Sequence, residues 1–139
     1  MCKSGDIIRI NDLISYYINP AHRVNNNRVK SFWLIKPNVE RNYFVTCFNN
    51  GWFVNTKGWG LYRHNGSLRL LGKDREKNES KIGVFVTHNN NINRWHGYPY
   101  ERINPGDKPM DSILILWKNI ELINKSQMKK LKKGKVCNL

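Results

Sequence analysis

The stretch that decides the fold is IGVFVTHNNNINRWHGYPYERINPGDKP, residues 82–109. Its first six residues are mostly apolar and β-branched, which predicts a strand. Residues 87–109 then combine two histidines, two arginines, a tryptophan and two tyrosines with Asn, Pro and Gly, which favour turns. We therefore expect residues 87–109 to form a loop between this strand and a helical region. Binding and catalytic residues concentrate on such loops.

One β-hairpin is predicted around Asn65-Gly66, because an Asn-Gly pair between apolar runs suits a two-residue turn with positive φ at both positions. Its strands are residues 61–64 and 67–71. In the resulting register one face is apolar and the other is polar and aromatic. The polar face carries Tyr62, His64 and Arg69, and Arg63 lies at the edge of the apolar face.

A second hairpin is predicted around Asn50-Gly51, between strands at residues 43–48 and 52–55. Both faces of this hairpin are apolar, which places it in the centre of the sheet. Cys47 is therefore expected to be a buried thiol. Residues 31–36 are expected to form a further strand.

Helical spacing occurs at both ends of the chain. Residues 5–18 have apolar side chains at helical spacing, and they fit equally well a short strand at Ile7, Ile8 and Ile10 followed by a brief helix at residues 13–18. Residues 110–134 also repeat apolar side chains at helical intervals. Asn124 with Gln127 three residues on is typical of a capping box. The expected fold is α+β: a small antiparallel β-meander of about six strands, curled or barrel-like, with a short N-terminal helix and a C-terminal helical region.

The composition fits one globular domain with a strong positive charge. The hydrophobic fraction of 40% argues against a disordered chain, while 24 Lys and Arg against 10 Asp and Glu leave a net charge of +14. Residues 125–139, expected to be a lysine-rich helix and tail, hold six lysines and no acid. Residues 1–124, expected to be a single basic domain, are positive as well. This charge favours polyanions, above all nucleic acid.

Three widely separated cysteines, Cys2, Cys47 and Cys137, match neither a disulfide framework nor a zinc ligand set. They predict reduced thiols in the cytoplasm. The N-terminus lacks the apolar region of a signal peptide, and no apolar run approaches the roughly 18 residues of a membrane span. We expect a cytoplasmic protein without membrane association.

The leading functional hypothesis is a nucleic-acid-binding protein, with RNA or a single strand favoured. Lysine and arginine neutralise phosphates, and exposed aromatic rings stack on unpaired bases. The candidates come from the hairpin face, from residues 87–109 and from the tail. They are Tyr62, Arg63, His64, Arg69, Arg94, Tyr98, Tyr100, Arg102, Lys129, Lys130, Lys132 and Lys133.

Catalysis is the main alternative. A histidine that titrates near neutral pH suits proton transfer, and RNA cleavage without metal needs a base, an acid and a cation. His96 with His88 or His64, supported by Arg94, Arg102 or Arg63, could supply these groups. The set His88, His96 and Asp107 has no recognised zinc spacing, and there is no nucleotide or cofactor motif, so we expect neither a metal nor a cofactor.

Residues 3–8, KSGDII, resemble the start of the small SH3-like barrel ribonuclease toxins of toxin–antitoxin pairs, which often begin with Lys-x-Gly-Asp-Ile before a strand. The resemblance implies a metal-independent ribonuclease held by an acidic partner. The Arg-Pro and aliphatic strand that come next in such toxins are missing at residues 31–36, so no toxin residue is transferred to this chain. A third possibility is a virus- or mobile-element-encoded interaction protein that binds an acidic host protein.

Overall fold

A computed structural model describes residues 2–23 and 30–139. Its class is α+β, as predicted, and its largest sheet has six strands. None of its sheets closes into a barrel, so the curled or barrel-like meander is an open sheet. Within the described residues no helix is both long and apolar enough to cross a bilayer.

The strands are short apart from two near the middle of the chain. They are β1 (Ile7–Arg9), β2 (Ser15–Tyr17), β3 (Phe32–Trp33), β4 (Phe53–Val54), β5 (Lys57–Gly60), β6 (Arg63–His64), β7 (Ser67–Leu68), β8 (Gly72–Lys73), β9 (Glu79–Ser80), β10 (Gly83–His88) and β11 (Asn91–Pro99). The helices are α1 (Pro37–Asn49), α2 (Asp111–Asn119) and α3 (Lys125–Lys132), with 3-10 turns at Pro20–His22 and Pro105–Asp107.

The six-stranded sheet has the order β1-β2-β11-β10-β5-β4. Its neighbours are antiparallel except for β2 and β11, which run parallel, with Ser15 beside Arg94 and Tyr16 beside Trp95. The predicted all-antiparallel meander is therefore interrupted where the N-terminal hairpin joins the sheet. Strands β3, β8 and β9 form a second sheet, and β6 with β7 a third.

The predicted N-terminal helix at residues 13–18 is wrong, because strands β1 and β2 form a hairpin there. The side-chain oxygen of Asn11 accepts hydrogen bonds from the backbone N–H groups of Leu13 at 2.8 Å and Ile14 at 2.9 Å. Such local side-chain bonds offer the backbone an alternative to a helix. They fix the turn instead.

The predicted hairpin around Asn50-Gly51 is also wrong, because residues 43–48 belong to α1. Pro37 begins this helix, where its missing N–H is harmless, and Gly51 follows the helix end with a φ of 69°. Apolar and aromatic side chains at helical spacing pack one face of α1 against the sheet. This burial outweighs the strand preference of the sequence YFVTCF. Cys47 is buried, as predicted.

The hairpin around Asn65-Gly66 is confirmed. Arg63 pairs with Leu68 and His64 with Ser67, in the predicted register. Both turn residues have positive φ, 52° for Asn65 and 81° for Gly66. This hairpin forms a sheet of its own.

About half of the predicted loop at residues 87–109 is strand. Asn89 and Asn90, with φ of 49° and 60°, turn the chain between β10 and β11, and β11 runs from Asn91 to Pro99 as a central strand. Asparagine tolerates the left-handed conformation, so Asn-Asn serves here as Asn-Gly does elsewhere. Only the part after β11 remains irregular.

The C-terminal helices match the prediction. The Asn124 and Gln127 capping box is present at the start of α3, and Gly134, with a φ of 65°, follows its end. Leu131 of α3 is buried in the same core as α1 and the sheet. The last helix is therefore part of the packed structure.

Candidate nucleic-acid interface

The two faces of β11 differ in character. Along the strand, Trp95 and Gly97 are buried and alternate with the half-buried Arg94, His96 and Tyr98. Side chains on a strand point alternately to opposite faces. The buried set faces α1, where the Trp95 ring lies 5.8 Å from that of Phe44. The polar set lies on the other face.

Five aromatic rings follow one another across this second face, and we call them the ring strip. The order is Tyr17, His88, His96, Tyr98 and His22, with successive centroid distances of 4.6, 4.9, 6.4 and 5.1 Å. All five side chains are half-buried, so each keeps part of its surface accessible. The rings come from three parts of the chain: β2, the β10–β11 hairpin and the 3-10 turn before residue 23.

Two histidines form the centre of the ring strip. The Nδ1 atoms of His88 and His96 lie 3.1 Å apart, and the two rings are perpendicular. In such a contact the Nδ1–H of one imidazole donates a hydrogen bond to the Nδ1 atom of the other, so one proton lies between the two Nδ1 atoms. His96 is the register partner of Val86, two residues before His88 on β10, so the two histidines lie on one face of the β10–β11 pair.

Burial and positive neighbours keep His96 neutral. Desolvation, then the charges of His88, His22 and Lys30, lower the pKa of His96 to about 4. Desolvation also lowers the pKa of His22, whose Nδ1 lies 2.9 Å from the carbonyl oxygen of Ser31. At neutral pH His96 can therefore accept a proton.

A buried carboxylate supports one end of the ring strip. Asp107 is 3% exposed and accepts a hydrogen bond from the Tyr98 hydroxyl at 2.7 Å. It also accepts from Asn104 Nδ2 at 3.2 Å and pairs with Lys57 Nζ at 3.3 Å. Burial, followed by the charge of Asp107, raises the pKa of Tyr98. Tyr98 thus stays a neutral donor with a fixed ring.

Some of the acids are buried, whereas the cations lie nearer the surface. Four of the ten acids are buried: Glu40, Asp74, Glu101 and Asp107. No lysine or arginine of the described residues is buried to that degree. Three of the four buried acids are paired with cations, Glu40 with Arg23, Glu101 with Arg75 and Asp107 with Lys57, and the net charge of +14 is carried by the other lysines and arginines.

The structure brings together four of the predicted site residues. Arg94, His96 and Tyr98 share one face of β11, and His88 contacts His96 from β10. They lie on one rigid sheet.

The other predicted residues lie apart from the ring strip. Tyr62 packs edge-on against Tyr43 of α1, and Arg63 donates to the carbonyl oxygen of Glu121 at 2.7 Å. Tyr100 is buried. The remaining candidates are half-buried or exposed on the hairpin, the segment after β11 and α3: His64, Arg69, Arg102, Lys129, Lys130, Lys132 and Lys133.

Sequence reasoning missed Tyr17, His22, Lys57 and Asp107 as members of this site. The alternation along residues 91–99 and the Asn-Asn turn were signals for β11 and its polar face. Tyr17 and His22 reach the site only through the parallel β2–β11 pairing and the stacking of His22 on Tyr98, for which no local pattern exists.

The described residues were compared with the ligand sets that metal ions need. Within residues 2–23 and 30–139, no group of three or more His, Cys, Asp or Glu side chains is placed to hold a metal ion. Comparison with known proteins gave no match among protein-family models, curated proteins or solved structures.

Proposed function

We propose that this protein binds single-stranded nucleic acid, with RNA favoured, along the ring strip. The observation that carries the proposal is the run of five half-buried rings on one sheet face. Aromatic rings on a sheet offer bases a stacking surface worth roughly 1–3 kcal/mol per base. Histidine rings serve as well as tyrosine rings in this role.

The charge distribution supports the same proposal. Lys57 and Arg94 lie at the ring strip, and α3 adds the exposed Lys129, Lys130 and Lys133. Two hydrogen bonds tie the end of α3 to the segment that contains Asp107: Lys108 Nζ donates to the carbonyl oxygen of Lys132, and Arg102 Nη1 to that of Gly134. The lysines of α3 would add sequence-independent affinity for the phosphate backbone of a longer strand. The free thiols fit a cytoplasmic location.

The test is binding of a labelled single-stranded RNA of ten nucleotides, followed by fluorescence anisotropy over a range of salt concentrations. The Tyr17→Leu variant should bind several-fold more weakly, while Tyr17→Phe, which keeps the ring, should bind like the wild type. Tyr62→Leu examines the separate hairpin. A loss at Tyr62 with no loss at Tyr17 would move the interface to the hairpin, and no binding at low salt would refute the proposal.

A metal-independent ribonuclease is the second candidate, favoured by the 3.1 Å contact of His88 and His96. Neutral His96 would take the proton of a ribose 2′-hydroxyl as its oxygen attacks phosphorus. The bond from phosphorus to the 5′ oxygen breaks, and that oxygen receives a proton from the His88 side of the pair. The products are a 2′,3′-cyclic phosphate and a 5′-hydroxyl.

Incubation with bulk RNA in EDTA tests this candidate. Cleavage by the wild type that disappears in both His88→Ala and His96→Ala supports it. Binding without cleavage leaves the ring strip as a stacking surface. Cleavage that persists unchanged in both variants excludes the pair. An acidic protein partner, the third possibility, would compete with RNA for the wild-type protein.

A further inference from the structure

We infer that Arg94 forms a phosphate-binding subsite beside the histidine pair; the inference rests on the proposed function. Arg94 is half-buried on β11, and its Nε is fully buried with no hydrogen-bond partner. None of the ion pairs in residues 2–23 and 30–139 involves Arg94. Its guanidinium is a charge without a counterpart.

Two other arginines show how a cation is compensated in this fold. Arg23 donates to the carbonyl oxygen of Ile35 and to Glu40, the latter at 2.5 Å. Arg75 pairs with Glu101 at 2.6 Å. Arg94 has neither kind of partner although its Nε is fully buried, and taking part of a charged group out of water without a partner is unfavourable.

Other buried polar atoms also have no partner, but they belong to neutral groups apart from Arg23 Nε. They are the Tyr43 hydroxyl and the indole nitrogens of Trp95 and Trp117. Neutral groups cost far less to desolvate than a guanidinium. In Arg23 the two other nitrogens are bonded, so its charge is balanced. Among these partnerless buried atoms of residues 2–23 and 30–139, Arg94 Nε alone belongs to a cation with no bonded nitrogen, which points to a ligand.

The surroundings of Arg94 identify the ligand as an anion. Arg94 and His96 are two residues apart on one strand face, about 7 Å along the strand. Ser15 is the register partner of Arg94 on β2, and Tyr17 of the ring strip follows it on the same face. A guanidinium presents its donors in a fork that matches phosphate oxygens. A phosphate bound here would lie next to the histidine pair and to the base-stacking rings.

The ligand is therefore a phosphate group of the nucleic-acid strand. A free phosphoryl compound shares this chemistry, and the experiment separates the two sources. One arm uses inorganic phosphate and follows thermal unfolding against chloride at equal ionic strength. The other arm uses the labelled RNA. Arg94→Gln is the test variant, Arg94→Lys retains the charge without the fork, and Arg41→Gln on α1 is the matched control.

We expect Arg94→Gln to bind the RNA roughly tenfold or more weakly, because a charged hydrogen bond is lost. Its plot of log affinity against log salt should be shallower by about 0.7, the value for one lost phosphate contact on a single strand. Phosphate should stabilise the wild type and Arg41→Gln but not Arg94→Gln. Arg94→Lys should recover part of the affinity.

Each of the remaining outcomes would refute the subsite, its nucleic-acid ligand or the whole inference. If Arg94→Gln binds RNA and phosphate like the wild type, the subsite is refuted and the proposed function stands. If phosphate acts through Arg94 but RNA does not bind, the nucleic-acid source is refuted and a free phosphoryl compound replaces it. If Arg94→Gln and Arg94→Lys both unfold at markedly lower temperature without anions, Arg94 serves the fold and the inference fails.

Discussion

Tyr98 donates its hydroxyl hydrogen to Asp107 across 2.7 Å, and this bond links the ring strip to the segment before α2. The same segment accepts the Trp59 indole N–H through the backbone carbonyl of Asp107 at 2.9 Å. Asp107 thus bonds Tyr98 of the ring strip, the neighbouring Lys57 and the buried Trp59. The site and the core are joined at this point.

Asp107→Ala should therefore destabilise the protein and weaken RNA binding together. The change leaves the Tyr98 hydroxyl and the Lys57 ammonium without their acceptor, and we expect a loss of about 2–4 kcal/mol in the free energy of unfolding. Urea denaturation measures it. Asp111→Ala, an exposed acid at the start of α2, should cost about 0.5 kcal/mol. Equal losses in the two variants would contradict the role of Asp107.

Gly97→Ala should destabilise the fold by overpacking. An added Cβ would lie 2.5 Å from Phe85 Cδ1 and 2.7 Å from the Tyr16 hydroxyl oxygen. We expect a loss of about 1–3 kcal/mol by chemical denaturation. Gly106→Ala is the control, since its Cβ would meet only Asn104 Oδ1, at 3.5 Å. If Gly97→Ala left the free energy of unfolding unchanged, β11 would have to be able to move away from α1.

His96 should make the protein less stable in acid. Its pKa is about 4 in the fold and 6.5 in a model peptide, so between these values the unfolded chain binds more protons. The stability contribution is complete above pH 6.5 and falls as the pH drops towards 4. Partial exposure limits the loss to roughly 1–2 kcal/mol. The unfolding free energy of the wild type minus that of His96→Gln should therefore fall by this amount as the pH is lowered from 7.5 to 4. A difference that does not change with pH would refute the pKa shift.

Glu40 should make the protein less stable as the pH rises, which is opposite to the effect of His96. Burial raises its pKa to about 7, against 4.5 in a model peptide, although Arg23 and the Tyr16 hydroxyl favour the charged form. The folded protein binds the proton more tightly, so the contribution is complete below pH 4.5 and is lost as the pH rises through 7. Glu40→Gln cannot titrate. Its stability relative to the wild type should therefore rise between pH 5 and 8, and a flat difference would show that Glu40 stays ionised.

Local patterns predicted some elements correctly because their causes are local. The Asn65-Gly66 turn and the Asn124–Gln127 capping box depend on φ preferences and short-range hydrogen bonds. The strand at β10 follows from a run of β-branched residues. In each case neighbouring residues alone determine the structure.

The rest depended on packing that no local pattern contains. The sequence YFVTCF has strand preference but its apolar spacing also fits a helix, and the sheet decides for the helix. Of the candidate site, His88, Arg94, His96 and Tyr98 were predictable as residue types. Their proximity to Tyr17, and the position of Arg94 beside β2, follow from a strand pairing between distant parts of the chain.

The parallel pairing of β2 with β11 has a consequence for biosynthesis. The β1–β2 hairpin can form soon after it leaves the ribosome, since its contacts are local. The pairing of β2 with β11, however, can form only after Arg94 and Trp95 have been translated. Non-local pairings of this kind slow folding. Until then Tyr16, later buried, remains at an unpaired strand edge, and such edges favour aggregation of a nascent chain.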